Sequence, residues 1–377
     1  MAENPSTPAR RLTWGLACAG AAILLASAAV AAPSDADFTR LNQSVALAHI
    51  TPRYARLAEA TAKLDQAGQA LCQQPDQARL GQARAAYVAG FAAWEGIQHV
   101  SFGPVELFFR YQRTAFWPDP RDVLGRQLGQ VLAKADPASI TPQAFAQGSV
   151  SVQGFTALER LLYGDDTLPR LTAKDDAARF RCAMLTAITG NLAAIATDTA
   201  AAWGAQGFPA EMARAGQVGS RYMVPTDATL ELIKSLHAAI ELPIDRKLKR
   251  PLGATADKAQ PRTMEAWRSG QTLNAIKANL AAAEALYLRD GDPTLDQLLS
   301  GPAGRADLAA AIRKQFAAVQ QAVARLREPL DKTILKPDQR QAALRVVEQG
   351  EKLKRMIAED LTEALGVPLG FNSLDGD

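Results

Sequence analysis

This sequence predicts an all-α protein made of packed helical bundles, and three observations lead there. Apolar residues recur three and four positions apart along most of the chain, while strict alternation of the strand type is nearly absent. The breaks between these stretches carry Pro and Gly, as in Gln74-Pro75-Asp76, Trp117-Pro118-Asp119-Pro120, Gly207-Phe208-Pro209 and Gly291-Asp292-Pro293. The composition, 48% hydrophobic and 21% charged over 377 residues, suffices for a large core that needs neither metal nor disulfide staples.

The N-terminus comes first and stands apart. Arg10-Arg11 precede an uncharged stretch from Leu12 to Ala32, which ends on the small residues Ala29-Val30-Ala31. A positive flank, an apolar middle and a small-residue end make residues 1–31 a secretory signal peptide. Cleavage after Ala31 keeps Pro33 away from the scissile bond. Left uncleaved, the segment is just long enough to anchor the chain in a bilayer. Leu12-Thr13-Trp14 poorly supports a twin-arginine signal, and Gly15-Leu16-Ala17 poorly supports lipidation at Cys18. Cleavage removes Arg10, Arg11 and Glu3, taking the formal charge from +3 to +2. No later stretch reads as a membrane span, so the expected location is the periplasm or cell envelope. Maturation leaves Cys72 and Cys182, which an oxidising compartment would join; two separate buried thiols are the alternative.

Helical patterning then covers 38–72, 77–100, 120–134, 141–163, 176–204, 225–247, 262–288, 305–327 and 336–364. Over 80–98, Leu80, Tyr87, Val88, Phe91, Trp94 and Glu95 share one face. Pro120 fits a first helical turn with Asp119 as its cap, and Thr226-Asp227 open the helix after Pro225. Glycines cluster near 205–222, which places a domain boundary there: an N-terminal bundle over 36–206 and a C-terminal one over 220–377. A match between Leu185-x-x-Ile188-x-x-Asn191-Leu192 and Leu273-x-x-Ile276-x-x-Asn279-Leu280 is too short to indicate a duplication. Arg246-Lys247-Leu248-Lys249-Arg250, the densest basic run, reads as a solvated helix end. With so slight a positive balance it gives no case for nucleic acid as a partner. The chain is read as a monomer.

Chemistry-bearing residues are few. Thr156 and Glu159 are three apart on one helix face, with Tyr163 one turn on. Glu159 has apolar neighbours in Leu158, Leu161 and Leu162, which leaves three readings: metal ligand, ion-pair partner or surface residue. Thr156 offers no imidazole, thiolate or carboxylate to a transition metal. Histidines number three, His49, His99 and His237. His99 lies four residues after Glu95, a second acid on an apolar face. His237 and Glu241 have a spacing that suits one arm of a metal site or an ordinary helical ion pair. Arg113, and Arg268-Ser269 beside Trp267, are polar groups set among aromatics, where a guanidinium can stack on a ring or grip a carboxylate. No His-Glu-x-x-His, phosphate loop, Cys-x-x-Cys or Gly-x-Ser-x-Gly is present.

Trp94, Phe102-Gly103-Pro104-Val105, Phe116-Trp117-Pro118-Asp119, Gly154 to Gly164, Trp267-Arg268-Ser269-Gly270 and the end from Leu365 to Asp377 together resemble the imelysin-like family of bacterial envelope proteins. The resemblance runs from about residue 38 to the C-terminus. It implies two helical bundles with a site in the groove between them, an envelope location, and an iron-uptake or envelope partner. The metallopeptidase motif of that family, Gly-x-His-x-x-Glu, corresponds here to Gly154, Thr156 and Glu159, with Thr in the His position. Iron and zinc are the metals the resemblance leaves open. A hydrolytic zinc site takes about three protein ligands and a bound water. The expected groove residues are Gly154, Thr156, Glu159, Arg113, Trp117, Asp119, Arg268, Ser269 and Glu95, with Glu159 and His99 as metal candidates. Loss of the imidazole favours a non-catalytic binding protein over a metallopeptidase that would use Glu159, Glu95 and His99.

Overall fold

The computed structural model describes residues 32–369, and among these there is no β-strand. The expected signal segment and most of the motif at the C-terminal end lie outside the described residues. Several helices start where the sequence supplies a side-chain oxygen for the first turn. Ser34, Asp76 and Asp175 accept the backbone N–H of Asp37, Arg79 and Ala178 at 3.3, 2.7 and 2.8 Å.

The helix Thr51–Gln73 packs against Gln77–Glu95 and Asp176–Ala202, burying Leu57, Leu64 and Leu71 against residues such as Leu185, Ile188 and Leu192. A disulfide joins Cys72 to Cys182 across this contact, with a Cα–Cα distance of 5.4 Å. Contrary to the sequence reading, Asp176–Ala202 is by length and composition apolar enough for a membrane span, at a mean hydropathy of 1.2. In this fold its apolar face lies against the neighbouring helices instead.

Further along, Pro225–Glu241 packs on Thr272–Leu288 and Pro337–Arg355, and Ala306–Val323 packs on Pro337–Arg355. Two buried asparagines tie early helices to late ones. Asn42 on Asp35–Val45 donates to the Pro225 carbonyl and accepts from the Thr229 hydroxyl, both at 2.8 Å. Asn279 donates to the Glu95 carbonyl at 2.6 Å, where Thr272–Leu288 lies on Gln77–Glu95. All described residues belong to one compact unit.

Four departures from the expected helices matter for the site. The stretch 141–163 is not one helix: Pro142–Gln147 ends, and Phe155–Leu162 starts anew after Gly154. A Cβ on Gly154 would collide with the Thr114 carbonyl oxygen, so only glycine allows this crossing of the chain. The helix expected from 262 starts at Thr272 instead. Before it, residues 264–271 form a strap bent by left-handed conformations at Ala266 (φ 53°) and Gly270 (φ 68°). Asp119 is not next to its helix, which begins at Val123, although its carboxylate still accepts the N–H of Val123 and Leu124, each at 2.9 Å.

The fourth departure is in the basic run. Pro225–Glu241 continues as a π-helical segment, Leu242–Lys249, where Pro243 has no N–H to give the ladder. Gly350 admits the Ile244 side chain where a Cβ would stand, which seats this segment tightly on Pro337–Arg355. Lys247 is thereby fully buried. The run is not a plain solvated helix end.

Candidate functional site

The chain crossing at Gly154 builds one wall of a cavity of about 550 Å³. Extended backbone at Ala115 brings Phe116 alongside the Phe155–Leu162 helix, where the Thr156 hydroxyl accepts the Phe116 N–H at 3.2 Å. Ala157, Leu158, Leu161 and Leu162 of that helix are buried. Thr156, Glu159 and Arg160 line the cavity with Trp117. The opposite wall comes from the π-helical segment with the turn that follows it (Arg246, Arg250), the short turn Pro261–Thr263 (Arg262) and the strap (Trp267, Arg268).

Glu159 is 4% exposed. Its Oε1 accepts two bonds from Ser269, from the backbone N–H at 2.8 Å and from the hydroxyl at 2.7 Å. Both fall on one oxygen, which leaves Oε2 to face the cavity. Burial raises the carboxyl pKa, while the Ser269 bonds and the Arg268 charge act against that rise. The bent strap is what carries Ser269 to Glu159 and stacks Arg268 over Trp267, 4.3 Å from guanidinium carbon to ring centroid.

Among the residues expected in the groove, Thr156, Glu159, Trp117, Asp119 and Arg268 line this cavity, and Ser269 bonds directly to Glu159. Gly154 acts through the backbone, as the start of the Glu159 helix. Arg113 does not line it. It sits on the short helix Arg110–Thr114, bonds the side-chain oxygens of Gln153 and Asn191 (2.6 Å each), and lines a separate cavity along Asp176–Ala202. Glu95 does not line it either. Its face also carries Phe91 and Trp94 and points into the core, where Glu95 meets Lys247 and Glu265.

His99 is elsewhere again, its Nε2 2.8 Å from Nε2 of His49, whose Nδ1 is 2.9 Å from Asp290. Burial takes His49 down to about 4 and His99 well below its ordinary value, so both rings are neutral at physiological pH. His237 and Glu241 lie 3.6 Å apart on their helix. Among the described residues no three His, Cys, Asp or Glu side chains gather as a metal set.

Arg246, Arg250 and Arg262 line the cavity, and sequence reasoning missed them. Arg246 and Arg250 carried a signal, since a spacing of four places them on one helical face. Arg262 carried none, because the stretch from 262 was read as the start of a helix.

The family model described as imelysin matches residues 50–357, most of the chain. The chain belongs to the imelysin family. Iron-regulated protein A of Synechococcus elongatus is 26% identical over 343 residues, covering 89% of each chain. Two crystal structures share the fold. An imelysin-like protein from Psychrobacter arcticum 273-4 has a TM-score of 0.72 at 20% identity, covering 91% of this chain and all of that one. A candidate iron-regulated protein A precursor from Parabacteroides distasonis has a TM-score of 0.70 at 14% identity, covering 87% of this chain and 97% of that one.

The imelysin name raises the question of whether these residues suit a hydrolytic metal, and they do not. The Thr156 hydroxyl is engaged with the Phe116 N–H, and both Asp119 oxygens cap a helix. Asp122 pairs with Arg160, and the Arg268 cation stands beside Glu159. One uncommitted carboxylate oxygen is far short of the three ligands such a centre needs.

Proposed function

We propose that this imelysin-family chain is an exported binding protein of the bacterial cell envelope, working in iron uptake, and that the cavity at Glu159 is its ligand site. One observation carries the reading: Glu159 is buried, oriented by Ser269 and open through one oxygen to a cavity of ligand size, while the neighbouring oxygens of Thr156, Asp119 and Asp122 are already engaged. In this reading the walls belong to two bundles, one before residue 206 and one after 220, with the cavity between them. The iron link is supported by the name of the Synechococcus relative, and export by the signal-like N-terminus together with the precursor designation of the Parabacteroides protein.

Purified residues 32–377 should hydrolyse neither casein nor a mixed peptide library, with zinc or ferrous ion supplied. Chelator-sensitive cleavage that disappears in Glu159→Gln would overturn the binding reading. A strain lacking the gene should take up iron more slowly under iron limitation; uptake equal to the parent's would remove the iron part.

A further inference from the structure

The cavity walls are charged in a way that selects a ligand. Arg160, Arg246, Arg250, Arg262 and Arg268 face Asp119, Asp122 and Glu159, a formal +2 in a chain whose whole charge is +3. The acids are also largely engaged: Asp119 with backbone N–H groups, Asp122 with Arg160, Glu159 with Ser269. Among the described residues, Arg246, Arg250, Arg262 and Arg268 make no ion pair with any carboxylate. Four guanidiniums around one concavity repel each other and favour an anion. Arg262 and Arg268 are moreover held near Trp267, at 5.6 and 4.3 Å from its ring centroid. Stacked guanidiniums lose less freedom when they grip a planar anion.

We infer that the cavity takes a small polycarboxylate, its carboxylates gripped by Arg246, Arg250, Arg262 and Arg268, with Glu159 accepting a hydrogen bond from a ligand hydroxyl or protonated carboxyl. This rests on the binding reading above. Geometry separates carboxylate from phosphate. The four arginines come from two separate stretches, 246–250 and 262–268, of the cavity lining, which suits several dispersed charges rather than one compact trianion. Glu159 Oε2 in the cavity would repel a phosphate lacking a donor, yet it complements a hydroxy acid. The Trp267 ring already carries two guanidiniums, which leaves it poorly placed to stack a nucleotide base. Flat carboxylates match the paired N–H groups of arginine. The volume, about 550 Å³, holds a tricarboxylate with bridging waters.

Citrate, citrate with ferric ion, inorganic phosphate and spermidine are titrated into residues 32–377, read by calorimetry and by tryptophan fluorescence, since Trp117 and Trp267 line the cavity. Citrate, free or as its ferric complex, should bind at least about tenfold more tightly than phosphate, and spermidine should not bind. The ratio between the two citrate arms tells whether free acid or chelate is preferred; either supports the class. Arg246→Gln and Arg268→Gln should each weaken citrate about tenfold or more, roughly one charge-assisted contact, with thermal melts unchanged. Phosphate binding as tightly as citrate, or citrate affinity unaltered in both stably folded variants, overturns the proposal. Binding of a neutral or cationic ligand in the same cavity, without citrate binding, overturns the ligand class while leaving the binding function standing. Chelator-sensitive hydrolysis defeats both.

Discussion

Two buried glutamates, Glu159 and Glu95, make opposite uses of the same side chain. Glu159 meets neutral donors on a strap and keeps one oxygen toward a cavity. Glu95 is sealed in the core with Lys247 and Glu265, all three at most 2% exposed. Trp117 connects the regions, its ring lining the cavity and lying 5.8 Å from the Lys247 ammonium. In the proposed reading, a buried acid serves as a site where its partners leave a lone pair toward space, whereas an acid closed off by a lysine holds the scaffold.

The largest test of this contrast is Lys247→Met. It leaves two buried carboxylates without their cation and should cost about 3–5 kcal/mol in urea unfolding. A loss below about 1 kcal/mol would mean that the cluster is not structural.

Acidity provides the next. Burial first, then the Glu265 charge, push the Glu95 carboxyl up to about 8, against the pull of Lys247. A carboxyl with a raised folded pKa keeps a proton that the unfolded chain releases. Its contribution is full below the ordinary value of 4.5 and is lost as pH rises through about 8. The urea midpoint should therefore fall between about pH 5.5 and 8.5, and Glu95→Gln should flatten that fall. A slope unchanged in the variant would break the assignment.

Ser269→Ala removes one of two bonds to Glu159 and should cost about 1–2 kcal/mol of stability, while weakening the ligand as Glu159 loses its orientation. An equal loss of stability with unaltered affinity would move Glu159 into the class of Glu95. The smallest effect belongs to Thr156→His, which restores the imidazole of the peptidase motif. It should yield no chelator-sensitive hydrolysis, because Asp119 stays committed to its helix. Hydrolysis gained by that single change would show the remaining ligands to be within reach.

How much could be read from the sequence follows the same division. Long helices such as Thr51–Gln73 and Asp176–Ala202 were legible because their apolar period is set by local geometry. So were Glu159, Trp117 and Ser269, through motifs that travel together. The strap at 264–271 was not: Thr263-Met264-Glu265-Ala266-Trp267 has helical composition, and its left-handed bend at Ala266 accompanies contacts of Glu265 with Lys247 and of Ser269 with Glu159, far away in sequence. Arg113 was misplaced because aromatic neighbours do not say toward which helix a side chain turns. Lys247 was misread because a run of charges suggests solvent, whereas successive residues on a helix face different ways.

The disulfide has a topological consequence for the cavity. Cys72 and Cys182, separated by 110 positions, close a covalent ring that contains Trp117, Asp119, Thr156 and Glu159, whereas Arg246 through Ser269 lie outside it. One wall is thus a closed loop, and the other is attached by a single strand. A protease nick in the exposed stretch around Ala146–Ser149 would leave the fragments joined on a non-reducing gel and free only after reduction. A nick between Gly253 and Lys258 would release the part carrying Arg262, Arg268 and Ser269 at once on denaturation, while Arg246 and Arg250 would stay with the ring. Limited proteolysis run with and without reductant would therefore show which wall was cut, before any ligand is known.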